Sequence, residues 1–371
     1  MKQKKISLFQ YSALLITFLL GTIIIICPEV IISDQLGWLT DITAIALSFI
    51  SILLLTALHQ PLFDSNIVEI ANQVGGVWFR IVVGILYIIY VLHLGALNLR
   101  LIGNFLSTTI MSNMPILIFT FTLTLVSAYA VTMGIETIAR VGQVILPVIL
   151  LIFTLLLILA IPDYDPSNLL PLKLKTKNLL QGGYLIWAFP LGNLILFSFL
   201  FPYVRLQSEK SKTKQYLLYT SIALLISGVI LTLRTLTLTM AFGADLASSF
   251  TYPVFSMVGI IEIGDFLERL ESAFLVMWIG TAFITILFCY WTAVEAVGTL
   301  VRSKNKKSFI IPIGIIMVSL SQILFKNYSE QYQFTLHTWP HYAAIFLLII
   351  PVIILLLLLL KKIKNNIKDR Q

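Results

Sequence analysis

Apolar stretches near the roughly 20 residues needed for a helical bilayer crossing recur along the chain, separated by short polar turns. Run length places them at about 7–27, 40–58, 76–110, 115–133, 141–161, 181–202, 216–238, 268–300, 309–325 and 341–361. The pattern predicts an all-α polytopic membrane protein of about ten transmembrane helices, a single transmembrane domain over residues 1–371. Two of the spans are interrupted. The first carries Gly21-Thr22 and ends at Cys27-Pro28, and the sixth carries Pro190-Leu191-Gly192-Asn193 in mid-run. Proline removes a backbone donor and glycine loosens the helix, so both spans are expected to unwind locally. Inside lipid such unwinding survives only where protein or a cavity satisfies the freed groups. Paired breaks five helices apart indicate a transporter-type site near the bilayer midplane. With five helices per half, the second half is inverted relative to the first. The expected repeats are 7–161 and 181–361.

Composition agrees with this reading. The chain is 58% hydrophobic and 11% charged, against about 45–50% and about 25% in soluble proteins, and its mean hydropathy is +0.97. The net charge of +8 does not mark a nucleic-acid binder, because the basic residues gather in alternate loops. Lys2, Lys4 and Lys5 open the chain, Arg205 to Lys214 follow the sixth span, Arg302 to Lys307 follow the eighth, and Lys361 to Arg370 close it. About 18 of the 25 Lys and Arg fall on that side, so the positive-inside bias puts both termini in the cytoplasm. Lys173, Lys175 and Lys177 dissent. The first apolar run is too long for a signal peptide and reads as an uncleaved helix. Cys27 and Cys289 both lie inside spans and suggest neither a disulfide framework nor a metal site. There is no phosphate-binding loop, no Ser-His-Asp arrangement and no Cys/His ligand cluster. Neither an enzyme nor a cofactor is expected.

Several motifs carry a resemblance. Tyr252-Pro253, then Ile260-Ile261-Glu262-Ile263-Gly264-Asp265-Phe266-Leu267-Glu268-Arg269-Leu270-Glu271 and Met277-Trp278, resemble the signature around the eighth helix of spore-germination permeases, the B subunits of germinant receptors. Phe189-Pro190-Leu191-Gly192-Asn193 with Phe201-Pro202-Tyr203 is similar to their sixth helix, and Leu99-Arg100, Gly21 and Pro28 match as well. The resemblance spans essentially the whole chain. It implies the amino acid–polyamine–organocation superfamily and the inverted five-plus-five repeat of the leucine-transporter fold. It also implies a small germinant, an amino acid above all, an A-type membrane subunit and a C-type lipoprotein as partners, and the spore inner membrane as location. Two departures stand out: Asn193 where many members carry an acidic residue, and Ile23 where they often carry glycine. The competing reading is a stand-alone proton- or sodium-coupled amino-acid symporter.

In that fold the ligand lies between the broken helices and faces of the third and eighth, which points to Gly21, Thr22 and Ile23 in one half and Ala188, Phe189, Gly192 and Asn193 in the other. Helical spacing puts Tyr87, Tyr90, Leu94 and Asn98 on one face of the third span, and Thr281, Thr285 and Cys289 on one face of the eighth. Such stripes also serve helix packing. Ionisable residues inside a membrane are costly and mark function. His93, Arg100, Arg234 and Glu295 qualify, and structural or gating roles are expected for Arg100, Arg234 and, in the outer acidic segment, Arg269.

Overall fold

The computed structural model describes residues 5–206, 211–261 and 270–368. Its long elements are α1 (Leu8–Ile23), α3 (Gly37–His59), α4 (Ile67–Phe105), α5 (Ile116–Met133), α6 (Ile135–Leu159), α7 (Thr176–Ala188), α8 (Lys212–Ser249), α10 (Leu270–Leu300) and α11 (Ile310–Ile323). Short α2 (Pro28–Ser33) follows α1, and a tightly wound 3-10 run, Leu191–Tyr203, follows α7. Short α9 (Pro253–Val258) lies between α8 and α10. The last crossing is built from α12 (Tyr328–Gln333), α13 (Trp339–Ala344) and α14 (Ile350–Lys368) joined by π turns. Among the described residues nine helical stretches are long and apolar enough to span a membrane, and the shorter apolar Leu8–Gly21 adds a tenth.

Local chemistry sets the ends. Ser7 and Gln10 form a reciprocal capping box at the start of α1, and Asn66 with Glu69 does the same for α4. Between α5 and α6 the chain turns through Gly134 alone, at φ 91°, a left-handed conformation that favours glycine. The third crossing is preceded by a helical segment from Ile67 that is set off by a kink at Gly76, whose φ of 76° and ψ of −165° are not helical, so the straight run starts at the 76 that apolar run length implies. The last crossing begins at Tyr328 and not near residue 341. Pro340 would end an ordinary helix. Here it falls in the first turn of α13, directly after the π turn Phe334–Thr338, where its missing N–H leaves no ladder bond unmade.

The bundle has a core and a rim. In the most apolar 18 residues of Thr176–Tyr203 94% are buried, whereas across Ile116–Met133 22% are. The interrupted sixth crossing is therefore central and α5 peripheral. On α5 and α6 the large exposed side chains are apolar apart from Arg140 near the start of α6, and include Phe121, Leu125, Val144 and Leu151. A surface of that kind belongs in lipid, and the protein is a multi-pass membrane protein.

Both ends of the described chain lie on one face. Lys361 Nζ donates to Gln73 O, Asn66 Nδ2 to Thr299 Oγ1, Tyr203 OH to Glu295 Oε1, and Ile6 N to Tyr203 O. This chain of contacts runs from α14 to the start of α1 across a single end of the bundle, called the terminal face below. An even number of crossings satisfies it.

Candidate ligand site at the helix breaks

The first break lies at Ile24–Cys27, one turn beyond Gly21–Ile23, because Pro28 opens α2 and cannot donate a ladder bond backwards. Its freed Ile26 carbonyl accepts from Arg234 Nη1 at 3.0 Å. The second break lies at Phe189-Pro190. There the Ala188 carbonyl accepts from Trp339 Nε1 at 3.3 Å, and Asn193 N donates to Pro190 O at 2.9 Å. The two breaks meet. Ile26 and Phe189 line one small cavity with Leu97 and Leu101 of α4 and Tyr328, Gln331, Tyr332 and Thr335 of the last crossing. It holds ≈ 10 Å³, about the room for one water molecule. Gln331 is fixed at its edge by two bonds, Nε2 to Leu97 O at 2.9 Å and Oε1 from Asn104 Nδ2 at 2.8 Å. Beside Leu97, Asn98 donates to Leu94 O, and its Oδ1 is buried with no hydrogen-bond partner.

The sequence-predicted residues fall into two groups. Tyr87, Tyr90, Leu94, Ala188, Phe189, Gly192 and Asn193 are buried around the second break. Tyr90 OH donates to Asn193 Oδ1 at 2.5 Å while its ring stacks on Trp339 and Phe346, and Tyr87 OH donates to Phe346 O. Gly192 lies against Trp187, whose carbonyl would be 2.7 Å from an added Cβ. The second group joins α1 to α10. Thr285 Oγ1 donates to Phe18 O at 2.9 Å, Thr281 Oγ1 to Trp278 O at 2.7 Å, and an added Cβ at Gly21 would lie 2.2 Å from Thr285 Oγ1. Cys289 is buried on the same helix, facing Gly95 of α4. Thr22 and Ile23 are still within the helix, short of the break. Phe18, Phe197 and Phe288 pack together between the groups, with Tyr11 against Phe197.

The charged candidates take separate places. Arg100 reaches the end of α11, where its Nη1 donates to Ser321 O and Gln322 O. His93 sits among Phe334, Trp339 and Tyr342. Glu295 pairs with Lys306 and accepts from Tyr203 at the terminal face. Arg269 lies outside the described residues, as do Glu262, Asp265 and Glu268.

Known proteins share this fold. The family model described as "Spore germination protein", a spore permease family, matches residues 5–329. The chain belongs to the spore germination protein family. Spore germination protein KB of Bacillus subtilis (strain 168) is 28% identical over 349 residues, 93% of this chain and 92% of that one. Spore germination protein XB of Bacillus anthracis is 25% identical over 264 residues, 70% of each chain. Among solved structures, this spore germination family member resembles Mhp1, a nucleobase–cation symport-1 family transporter in a closed conformation with bromovinylhydantoin bound. The TM-score is 0.72 at 12% identity, over 93% of this chain and 78% of that one. It also resembles MhsT in complex with L-phenylalanine, with a TM-score of 0.58 at 15% identity, over 95% and 97% of the two chains. The likeness shows the fold, the five-plus-five inverted repeat of the leucine-transporter type. Family and fold are of the transporter kind, not the catalytic kind.

One constellation in this family member escaped the sequence reading. Glu29 of α2, Asp41 of α3 and Arg234 of α8 are all buried, with Glu29 and Asp41 at 0% exposure and Arg234 at 1%. Arg234 Nη2 pairs with Glu29 Oε1, and Thr235 Oγ1 lies 2.6 Å from both Glu29 Oε1 and Asp41 Oδ2. The sequence pattern singles out neither Glu29 nor Asp41. Arg234 was the available signal, since a buried guanidinium needs an anion.

Proposed function

We propose that this chain is the germinant-sensing, permease-like subunit of a spore germinant receptor, and that it binds a small solute, an amino acid, at the two helix breaks. The observation that carries this reading is the convergence of both breaks with α4 and the last crossing on one aromatic-walled cavity edged by Gln331. Unwound backbone supplies amides and carbonyls for a zwitterion without a charged side chain in the wall, and the tyrosines supply an apolar bed for a side chain. The two solved relatives in fold each hold a small solute, one of them an amino acid. Binding acts by favouring one of two packings of the bundle, since a ligand shifts an equilibrium only through differential affinity. A cavity of ≈ 10 Å³ means that the last crossing must move outward to admit any amino acid. The halves 7–161 and 181–361 are the repeats that would rock against each other. The terminal face is assigned to the cytoplasm on the positive-inside bias, the location to the spore inner membrane, and the partners to an A-type membrane subunit and a C-type lipoprotein.

The binding test is a thermal-shift screen of the purified protein against the twenty L-amino acids and the nucleosides. At least one amino acid should stabilise the wild type, and at about one hundred times Kd the gain is about 2.7 kcal/mol. Gln331→Ala and Asn98→Ala should fold and lose that shift. A full panel without a shift, or a shift unchanged in both variants, rejects the site. Radiolabelled uptake of the stabilising amino acid into vesicles containing this protein alone would reveal a self-sufficient symporter instead.

Orientation has its own test. In a Cys27→Ser/Cys289→Ser background, Lys304→Cys at the terminal face should react with a membrane-impermeant thiol reagent only after cells are permeabilised. Ser167→Cys, in the exposed segment between α6 and α7, should react in intact cells. The reverse pattern overturns the assignment.

A further inference from the structure

Thr235 Oγ1 has an excess of acceptors around it. Glu29 Oε1 and Asp41 Oδ2 each lie 2.6 Å away, the Leu231 carbonyl is at 3.0 Å, and Arg234 Nη2 donates to it at 3.0 Å. A threonine hydroxyl owns one hydrogen. It can donate to one of these oxygens and no more, so the other carboxyl oxygen at 2.6 Å must bring a hydrogen of its own. Separations of that length are those of O–H···O⁻ bonds. Charge points the same way. Two ionised carboxyls beside one guanidinium would leave a net negative charge in a region closed to water, at a high desolvation cost. Glu29 holds the ion pair with Arg234, which leaves the hydrogen to Asp41. The remaining oxygens, Asp41 Oδ1 and Glu29 Oε2, are buried without a hydrogen-bond partner. For Asp41 Oδ1 that is tolerable, as the carbonyl oxygen of a neutral acid, whereas Glu29 bears the cost at Oε2 and offsets it through the ion pair of Oε1 with Arg234.

We propose that Glu29, Asp41 and Arg234 form a proton-binding site, with the proton on Asp41 in this conformation, and that its occupancy holds the first helix break in place. A single guanidinium makes the link. Arg234 uses Nη2 for Glu29 and Nη1 for the Ile26 carbonyl inside the break. On deprotonation the Oδ2–H bond of Asp41 breaks, its electron pair stays on the oxygen, and the proton leaves to water. Asp41 then competes with Glu29 for the same guanidinium while repelling Glu29. Relief comes from moving α2 away from α3 and letting water in, which frees the Ile26 carbonyl. Among the described residues, other groups also surround the pair. Cys27 lies in the break, Tyr332 of the last crossing faces Glu29, and α7 contributes Asn178, which donates to Ile32 O. Asp34, at the end of α2, meets Lys175 at 3.8 Å in an exposed contact. The site stands independently of which solute occupies the breaks and of whether it is sensed or carried.

The test needs no ligand. Infrared spectra of the purified protein in lipid nanodiscs at neutral pH should contain the C=O stretch of a buried carboxylic acid, and Asp41→Asn should remove it. Hydrogen exchange of residues 24–36, corrected for the chemical rate, should quicken with rising pH by about tenfold per unit where one proton is released on opening. In Asp41→Asn, which keeps the shape of the neutral acid, that slope should vanish. A wild type without the acid band, a band lost in Glu29→Gln instead, or the same slope in Asp41→Asn each overturns the assignment. If Asp41→Asn does not fold, the wild type decides alone: one proton per opening supports the site, and none overturns it.

Discussion

Arg234→Met should leave little folded protein in the membrane. Removing one partner of a buried charge pair costs about 3–5 kcal/mol, because the other charge stays behind unpaired. Here two acidic side chains stay behind, Glu29 and Asp41, both fully buried, and the Ile26 carbonyl loses its donor. Membrane abundance and the apparent Tm of the purified protein are the measurements. Methionine keeps most of the volume, so packing alone predicts a small change. The triple variant Arg234→Met/Glu29→Gln/Asp41→Asn should recover much of the loss, because it removes the orphaned charge of Glu29 and keeps position 41 neutral. Near-normal abundance of Arg234→Met alone would mean that neither carboxyl is ionised in the folded protein.

Gly21→Ala should be nearly as damaging, although it adds a single methyl group. That methyl would lie 2.2 Å from Thr285 Oγ1 and 2.3 Å from the Thr281 carbonyl oxygen, so α1 must move off α10. Over-packing of this kind costs about 1–3 kcal/mol. Thr285→Ala removes the nearer atom but not the backbone oxygen, so the double variant Gly21→Ala/Thr285→Ala should not be rescued. Gly280→Ala on α10 is the control. Its nearest neighbour would be a side-chain atom of Ile145 at 3.6 Å, an ordinary contact, and its Tm should hardly change. A Tm for Gly21→Ala equal to that of the control would mean that α1 and α10 are not packed as described.

The crossings and both breaks were legible in the chain because each rests on local chemistry. Apolar run length gives the spans, and Pro28 and Pro190 stop helices wherever the fold places them. Resolution was lost where a wider context decides. Gly21 reads as a helix breaker, yet α1 runs straight through it, because the absent side chain is used for contact with α10 and not for unwinding. Trp339-Pro340 reads as a stop, yet a π turn carries the last crossing through it and brings Tyr328, Gln331 and Thr335 to the cavity. The acidic pair could not be read at all. Asp41 and Glu29 are 194 and 206 positions from Thr235, and only the packing of α2, α3 and α8 brings them together.

The terminal face carries one more consequence. Ile6 N donates to Tyr203 O and Arg205 N donates to Ile6 O, each at 2.8 Å, a two-bond staple between the lead-in to α1 and the end of the 3-10 run. The terminal-face arms of the two broken crossings are thus riveted at one end and unwound in the middle. A mechanism that parted them there would have to tear both backbone bonds first, whereas one that swung them together as a single lever would leave the rivet whole and deliver its whole stroke to the opposite side of the membrane.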